Sequence, residues 1–124
     1  MADSFYIDKD GNSIDAQDVT SMPTDVNFFD AWALSGTVIS IDMEKAKEIF
    51  REKIRFERKT KFEEHDAAYM KALETNDTNA QASIAAIKQS LRDAPAHANI
   101  SSATTIEELK AAWDTTILGD NPYA

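Results

Sequence analysis

The sequence predicts an α+β fold that is mainly helical, in which N-terminal β-hairpins precede a long helix, an antiparallel partner helix and a short C-terminal helix. Short aromatic and β-branched runs flank glycine-containing turns in the first third of the chain. Two later segments repeat apolar residues every three or four positions, which is typical of helices. A length of 124 residues allows one small domain with a modest core.

Two hairpins are predicted before residue 42. The first pairs residues 5–7 with 13–14 across a turn that contains Gly11, because glycine adopts positive φ at little cost. The second pairs residues 28–34 with 37–41 across Ser35 and Gly36. Residues 15–27 carry no sustained periodicity, so we expect a connecting loop there.

The long helix is predicted from Asp42, its N-cap, to about Leu73, since no Pro or Gly interrupts this stretch. Its apolar residues mostly follow four-residue steps, so the apolar stripe drifts around the helix. A bend is expected, if anywhere, near Thr60, which lies between two lysines.

A second helix is predicted to run to about Asp93, with Thr78 or Asn79 as its N-cap and Pro95 ending it. Its apolar spacing favours packing against the long helix as an antiparallel hairpin. Thr105 begins a capping box for a short third helix, in which the Glu108 side chain reaches back to the N-cap amide. We therefore divide the chain into an acidic hairpin region (1–41), a helical hairpin (42–93) and a loop, short helix and tail (94–124).

The length of the long helix predicts a surface for other proteins. Thirty-two helical residues span about 48 Å, whereas a compact chain of this size is about 35 Å across. Apolar side chains of a protruding helix would remain uncovered, as at interaction sites. The alternative is a helix that breaks near Thr60 and folds back as a three-helix mini-bundle. The predicted interface comprises apolar and basic side chains: Ile49, Phe50, Arg51, Ile54, Arg55, Phe56, Arg58, Phe62 and Trp113.

The net charge of −9 is unevenly distributed. Residues 1–41 carry −6, residues 42–74 carry 0 and residues 75–124 carry −3. Acidic flanks repel phosphate, so nucleic acid is not an expected partner. The basic stripe Arg51, Arg55 and Arg58 could track phosphates, but we favour a face paired with its own acids: Glu48 with Arg51, Glu52 with Arg55 and Glu57 with Lys61.

No catalytic, cofactor-binding or metal-binding residue is predicted. The absence of cysteine excludes disulfide scaffolds, thiolate zinc sites and thiol nucleophiles. Asp8, Asp10 and Asn12 resemble the start of a calcium loop, but Val19 stands where the loop needs a bidentate Glu. His65 lacks a second histidine one turn away. The polar N-terminus and the lack of long apolar runs predict a soluble protein without a signal peptide or membrane partner.

Short motifs carry a resemblance to a family. The run IDMEKAKEI (41–49), followed by basic residues, looks like small proteins encoded beside tail genes of tailed bacteriophages and prophages. The run KQSLRDAP (88–95) is similar to the Gln-x-Leu-Arg-Asp-x-Pro signature of phage tail-assembly-chaperone-like proteins. The resemblance covers about residues 21–118. The chain departs from it in a longer, more charged spacer between Arg58 and Lys88, and in its acidic first hairpin.

The resemblance implies a non-enzymatic tail or tail-fibre accessory protein that acts through protein–protein contacts. Its expected partners are other phage tail or fibre proteins and further copies of itself, and its expected location is the virion tail, with the host cytoplasm during assembly. One alternative is an assembly chaperone that is absent from the mature virion. A second alternative is a small nucleic-acid-associated regulator that uses the basic stripe.

Overall fold

A computed structural model describes residues 5–8, 10–23 and 26–123, and it confirms the predicted α+β, mainly helical fold. The chain forms two compact units, which divide after Ile49. This division lies inside the long helix, whereas the three segments defined from the sequence follow changes in composition.

The first hairpin pairs β1 (Phe5–Ile7) with β2 (Ser13–Asp15) in antiparallel register, and Tyr6 lies opposite Ile14. Gly11 has a φ of +86° in the connecting turn, as its predicted role requires. This hairpin is confirmed, and Lys9, which the prediction placed in its turn, lies outside the described residues.

The second hairpin pairs β3 (Trp32–Ser35) with β4 (Val38–Ile41), and the turn between them contains Gly36 at a φ of +63°. The prediction that its first strand begins at residue 28 is wrong. Val26–Ala31 instead forms two 3₁₀ turns joined by a kink at Phe28, and both Phe28 and Ala31 are fully buried. Burial of Phe28 and Ala31 outweighs the preference of Phe28 and Phe29 for a strand.

The segment before these turns is more ordered than the predicted loop. Ala16–Asp18 forms a short 3₁₀ turn. Thr20 donates its amide to the carbonyl of Thr37 at 2.8 Å, and Ser21 accepts from the amide of Ile39 at 2.8 Å. These bonds satisfy backbone groups along β4. The first unit has a buried apolar core consisting of Phe28, Ala31, Trp32, Ile39 and Ala46.

Helix α1 spans Met43–Glu74 without interruption, as predicted. The Asp42 carboxylate accepts from the amides of Glu44 and Lys45 at 3.1 and 3.3 Å, which confirms its capping role. The anticipated bend does not interrupt the helix at Thr60, so the alternative of a broken helix that folds back is wrong.

Helix α2 (Thr78–Asp93) runs antiparallel to the part of α1 that belongs to the second unit. Gln81 near its start donates to the carbonyl of Ala72 at 3.2 Å, and Leu91 near its end accepts from Arg58 at 3.2 Å. The predicted helical hairpin is therefore confirmed. Its N-cap is Asp77, not Thr78 or Asn79, because the Asp77 carboxylate reaches the amide of Ala80 at 3.0 Å.

The C-terminal segment contains three short helices instead of the single one predicted. A 3₁₀ turn at Ala94–Ala96 leads to α3 (Ala98–Ser102), α4 (Ile106–Ala111) and α5 (Thr115–Leu118). Each helix begins at its own capping side chain, on His97, Thr105 and Asp114. The capping box is confirmed on one side only, since Glu108 accepts from the amide of Thr104 instead of the N-cap amide.

Candidate functional site

Three residues of the predicted interface belong to the core of the second unit. Phe50 and Ile54 are almost fully buried, and only 4% of Trp113 is exposed. The Phe50 and Trp113 rings meet edge to face with centroids 5.8 Å apart, and Tyr123 stacks on Phe50 at 5.6 Å. The prediction that Phe50, Ile54 and Trp113 are available to a partner is therefore corrected. The error arose because the sequence argument allowed only α2 to cover α1, whereas the C-terminal segment covers it too.

The C-terminal residues complete this aromatic cluster. Trp113 donates its indole N–H to the carbonyl of Gly119 at 3.2 Å, and Asn121 donates its side-chain amide to the carbonyl of Lys110 at 2.9 Å. Burial raises the pKa of Tyr123 above its ordinary value. Sequence reasoning treated this segment as a tail and missed Tyr123. The adjacent Pro122 and Tyr123 were the only local sign that this segment packs against the rest of the second unit.

Two of the three stripe arginines hold the second unit together. Arg51 donates from Nε to the carbonyl of Pro95 at 3.2 Å. Arg58 donates from Nη1 to the carbonyls of Leu91 and Arg92, each at 3.2 Å. These carbonyls lie at or just beyond the last turn of α2, where backbone acceptors lack helical partners and positive charge is favourable.

The third arginine follows the predicted pairing within the helix. Arg55 binds Glu52 at 3.1 Å on the exposed surface. Glu57, by contrast, pairs with Lys53 at 3.0 Å, one turn before it, and Lys61 lies 3.9 Å from Glu64. The preferred reading of this stripe as a face that pairs with its own acids therefore holds at Glu52 and Arg55.

The remaining predicted interface residues differ in exposure. Ile49 is half-buried at the end of the first unit. Phe62 is half-buried in the second unit, where the Arg58 guanidinium lies 5.9 Å from its ring centroid. Phe56 is 64% exposed, with the Lys53 ammonium 5.4 Å from its ring centroid. Phe56 is thus the apolar residue of the predicted interface that solvent reaches most fully.

Further apolar side chains are exposed on the same helix. Met70 is 59% exposed and Leu73 is 44% exposed. The residues of α1 that contact α2 include Arg58, Tyr69 and Ala72. Helical geometry places Phe56 on the side opposite these contacts and turns Met70 away from them. One strip of exposed α1 residues in the second unit is called the outer face, and it consists of Phe56, Lys59, Glu63, Asp66, Met70 and Leu73, with Asp66 at its border with α2.

The charged residues of the outer face are one base followed by two acids along the helix. Lys59 comes first, and Glu63 and Asp66 follow at intervals of about one turn. Asp66 lies at the edge nearest α2, where it binds Lys88 at 2.6 Å. Lys88 also lies 5.5 Å from the Tyr69 ring centroid. The outer face therefore combines exposed apolar groups with charged side chains, and exposed apolar groups of this kind are found at protein contacts.

The turn that resembles a calcium loop is held by its own backbone. Asp8 accepts from the amides of Asp10 and Asn12 at 3.0 and 2.8 Å, and from the amide of Leu34 at 3.0 Å. The bond from Leu34 contributes most to lowering the pKa of Asp8 below its ordinary value. His65, the other residue weighed as a ligand, is half-buried on α1. Within the described ranges no three His, Asp or Glu side chains are grouped to hold a metal ion.

A groove of about 300 Å³ in the second unit is lined in part by Asp93, His97 and Asp114. Each of these polar side chains has a local hydrogen-bond partner. Asp93 accepts from Gln89 at 3.0 Å, and His97 and Asp114 accept from backbone amides that begin α3 and α5. His97 and Asp114 therefore cap helices and Asp93 pairs within α2, and these bonds give all three a structural role.

Comparison of the chain with protein-family models, with curated proteins and with solved structures finds no match in any of the three. Across the described part of the chain, none of the helices has the length and apolar character needed to span a bilayer.

Proposed function

We propose that this chain is a non-enzymatic accessory protein of a bacteriophage tail or tail fibre, and that it acts through protein–protein contacts as part of the particle. One observation carries the proposal: Phe56, Met70 and Leu73 are all exposed along one helix. Exposed apolar side chains grouped on a charged surface are characteristic of interaction sites.

The three exposed apolar side chains offer too little surface to bind a partner strongly by themselves. A contact of this size fits a protein that is also held in place by a larger assembly. Burying the exposed parts of three such side chains contributes roughly 3 to 5 kcal/mol before ordering costs. Association in solution costs about as much or more in lost translational and rotational freedom. A particle offsets part of that cost because its other contacts already hold the subunits together.

The family-like motif at residues 88–95 supports the proposal through the fold. Leu91 is fully buried, Pro95 lies in the turn after α2, and both the Leu91 and Pro95 carbonyls accept from arginines of α1. The motif thus occupies the junction that joins the helical hairpin to the C-terminal segment. A resemblance centred there is what a shared helical-hairpin architecture would produce.

The experiment is mass spectrometry of purified particles from a strain that encodes the chain, with infected-cell lysate analysed in parallel. The proposal predicts the chain in fixed proportion to the known tail proteins of the particle. Its presence in lysate complexes and absence from particles would favour the assembly chaperone. Its absence from the purified particles, together with its absence from the complexes of tail proteins in the lysate, would overturn the tail assignment.

The nucleic-acid alternative is less well supported, since Arg51 and Arg58 donate to backbone carbonyls and the chain carries a net charge of −9. Phosphate contacts by these guanidinium groups would compete with bonds that hold α2 in place. Titration with duplex DNA at low salt tests this alternative directly, because electrostatic binding is strongest there. Saturable binding that weakens steeply with added salt would favour the regulator instead.

A further inference from the structure

The groove of about 300 Å³ in the second unit has more polar atoms than its internal hydrogen bonds use. Asp93 accepts from the side chain of Gln89 through Oδ1, and Asp114 accepts from the amide of Thr116 through Oδ1. In the described part of the chain neither Oδ2 atom accepts a hydrogen bond, and neither carboxylate forms an ion pair. No lysine or arginine is among the described residues that line the groove. Two negative charges therefore line this concave surface without a counter-ion from those residues.

The surroundings of the groove also favour positive charge. Helix α2 ends at Asp93, and the C-terminal end of a helix carries a partial negative charge. Residues 93–124 contain five acids and one base, which gives this segment a net charge of −4. Arg58 already donates to the Leu91 and Arg92 carbonyls at the same helix end. A ligand of this groove is therefore expected to carry a positive charge.

The apolar part of the lining and the volume of the groove limit the shape of that ligand. Ile54, Ala94 and Leu118 line the groove and are buried. A charged group on an aliphatic stem suits such a mixed lining, because the stem packs on apolar atoms while the charge reaches the acids. One turn of a helix about 10 Å wide fills roughly 420 Å³, which is more than the groove offers. The groove therefore fits one long side chain and excludes a helix.

The hydrogen bonds already formed in the groove favour lysine over arginine. A guanidinium binds a carboxylate best through two parallel bonds, which need both carboxylate oxygens. At Asp93 and at Asp114 one of the two oxygens already accepts a bond from the chain. An ammonium is a compact charge with three donors, so it can bond to a single oxygen of each carboxylate.

His97 adds a hydrogen-bond donor to the same lining. Its Nδ1 accepts from the amide of Asn99 at 3.1 Å, so the proton of the neutral ring is on Nε2. A ligand that satisfies the whole lining therefore brings an acceptor as well as a cation. A lysine within a polypeptide brings both, because its backbone carbonyl accepts hydrogen bonds, whereas a free alkylamine brings only the cation.

We propose that this groove binds the side chain of a lysine on a partner protein, with the ammonium shared by Asp93 and Asp114. The stem of the lysine packs on the apolar lining, and its backbone carbonyl accepts from Nε2 of His97. The proposal rests on the proposed function in taking the partner to be a protein, and it names the residue by which that partner is held. A single side chain binds weakly by itself, with a dissociation constant of about 1 to 10 mM.

Nuclear magnetic resonance titration of the isotope-labelled full chain measures this binding. The probe is a blocked peptide of five residues with lysine between two pairs of alanines, and it should shift the amides of Asn99 and Thr116 saturably. A peptide with norleucine in place of lysine keeps the stem without the charge, and should give no saturable shift up to about 20 mM. The arginine peptide should bind at least about threefold more weakly than the lysine peptide. Absence of saturable shifts with the lysine peptide, or equal binding of either of the other two peptides, would overturn the proposal.

Charge variants test the site. Asp93→Asn with Asp114→Asn removes both charges and keeps an oxygen that accepts each existing bond, so the fold should be retained. This double variant should bind the lysine peptide about fivefold more weakly or worse, and Asp93→Asn alone, which alters no side-chain cap, about twofold more weakly. The matched control is Glu107→Gln with Asp120→Asn, an equal charge change at exposed residues outside the described lining of the groove. Equal weakening by the two double variants would assign the binding to the overall acidity of the chain and overturn the site.

Titration with n-butylamine tests whether the source of the cation is a protein. This amine has the stem and charge of lysine without a carbonyl, so it should bind at least about threefold more weakly than the lysine peptide. Equal affinity would assign the groove to free amines and overturn the protein partner. All these titrations use the purified chain, so they fail independently of the tail assignment. A chain that occurs in purified particles but does not bind the lysine peptide would refute the lysine site and leave the proposed function intact.

Discussion

The guanidinium of Arg58 donates to the backbone carbonyl of Leu91 at 3.2 Å and so connects the middle of α1 to the end of α2. The same Nη1 atom reaches the next carbonyl, that of Arg92, at the same distance. Carbonyls in the last turn of a helix have no partner within it, so this one side chain satisfies two of them.

Replacing Arg58 by Ala is expected to lower the free energy of unfolding by about 1 to 3 kcal/mol, because partly buried carbonyls lose a charged donor. Urea denaturation followed by circular dichroism measures the change. Arg55→Ala is the matched control on the same helix, since its exposed ion pair with Glu52 contributes at most about 1 kcal/mol. Equal losses in the two variants would contradict the role assigned to Arg58.

Truncation of two phenylalanines on α1 should change stability by very different amounts. Phe50→Ala leaves a cavity beside Trp113 and Tyr123, and is expected to cost about 3 to 5 kcal/mol. Phe56→Ala removes a ring that is 64% exposed, and is expected to change stability by no more than about 0.5 kcal/mol.

Thermal or urea denaturation at one low protein concentration compares the two phenylalanine variants. A large loss for Phe56→Ala would show that this ring is covered within the monomer, contrary to its exposure here.

Acid should remove the contribution of Asp8. Its pKa is lowered in the folded chain, chiefly by the amide of Leu34, so the carboxylate stabilises the fold above its ordinary pKa. That stabilisation is lost as pH falls through the lowered value. The stability difference between wild type and Asp8→Asn should therefore be largest near neutral pH and shrink in acid.

Urea denaturation at several pH values from about 2 to 7 follows this difference. Asp30→Asn, which changes an exposed carboxylate of the same unit, serves as the control. A difference between wild type and Asp8→Asn that stays constant down to the lowest pH would contradict the hydrogen-bonding role of the carboxylate.

Alkali should weaken the packing of Tyr123. Burial raises the pKa of its phenol, so the neutral form is favoured in the folded chain. The resulting stability is complete below the ordinary pKa of about 10 and is lost as pH rises through the higher folded value. Fluorescence of Trp113, which lies 6.2 Å from the Tyr123 ring, should change in this range.

Tyr123→Phe keeps the ring and removes the titrating group, so the alkaline change should disappear in this variant. The variant Trp32→Phe removes the only other tryptophan and assigns the signal to Trp113. Persistence of the alkaline change in Tyr123→Phe would show that another group causes it.

Local signals predicted much of the fold. Gly11 and Gly36 marked both hairpins, and Asp42 marked the start of α1, because these residues determine backbone geometry within a few positions. The start of β3 could not be predicted in this way. It depends on the burial of Phe28 and Ala31, which is settled by the rest of the first unit and not by neighbouring residues.

The candidate site was predicted less completely, for a related reason. Phe56 was placed in the predicted interface, and its ring is exposed. Burial of Phe50 depends on Trp113 and Tyr123, which lie far along the chain and were placed by no local pattern. Contacts between residues that are far apart in the sequence could not be predicted. The burial of α1 residues under the C-terminal segment depends on such contacts.

The bond from the amide of Leu34 to the Asp8 carboxylate makes the two ribbons of the first unit depend on each other. A ribbon of two strands is marginal by itself, so each gains from the other's presence. Deuterium exchange at the Leu34 amide therefore reports opening of the first hairpin, although Leu34 belongs to the second. We therefore expect the two hairpins to open together, and a peptide cut from either hairpin to lose the restraint that the other supplies.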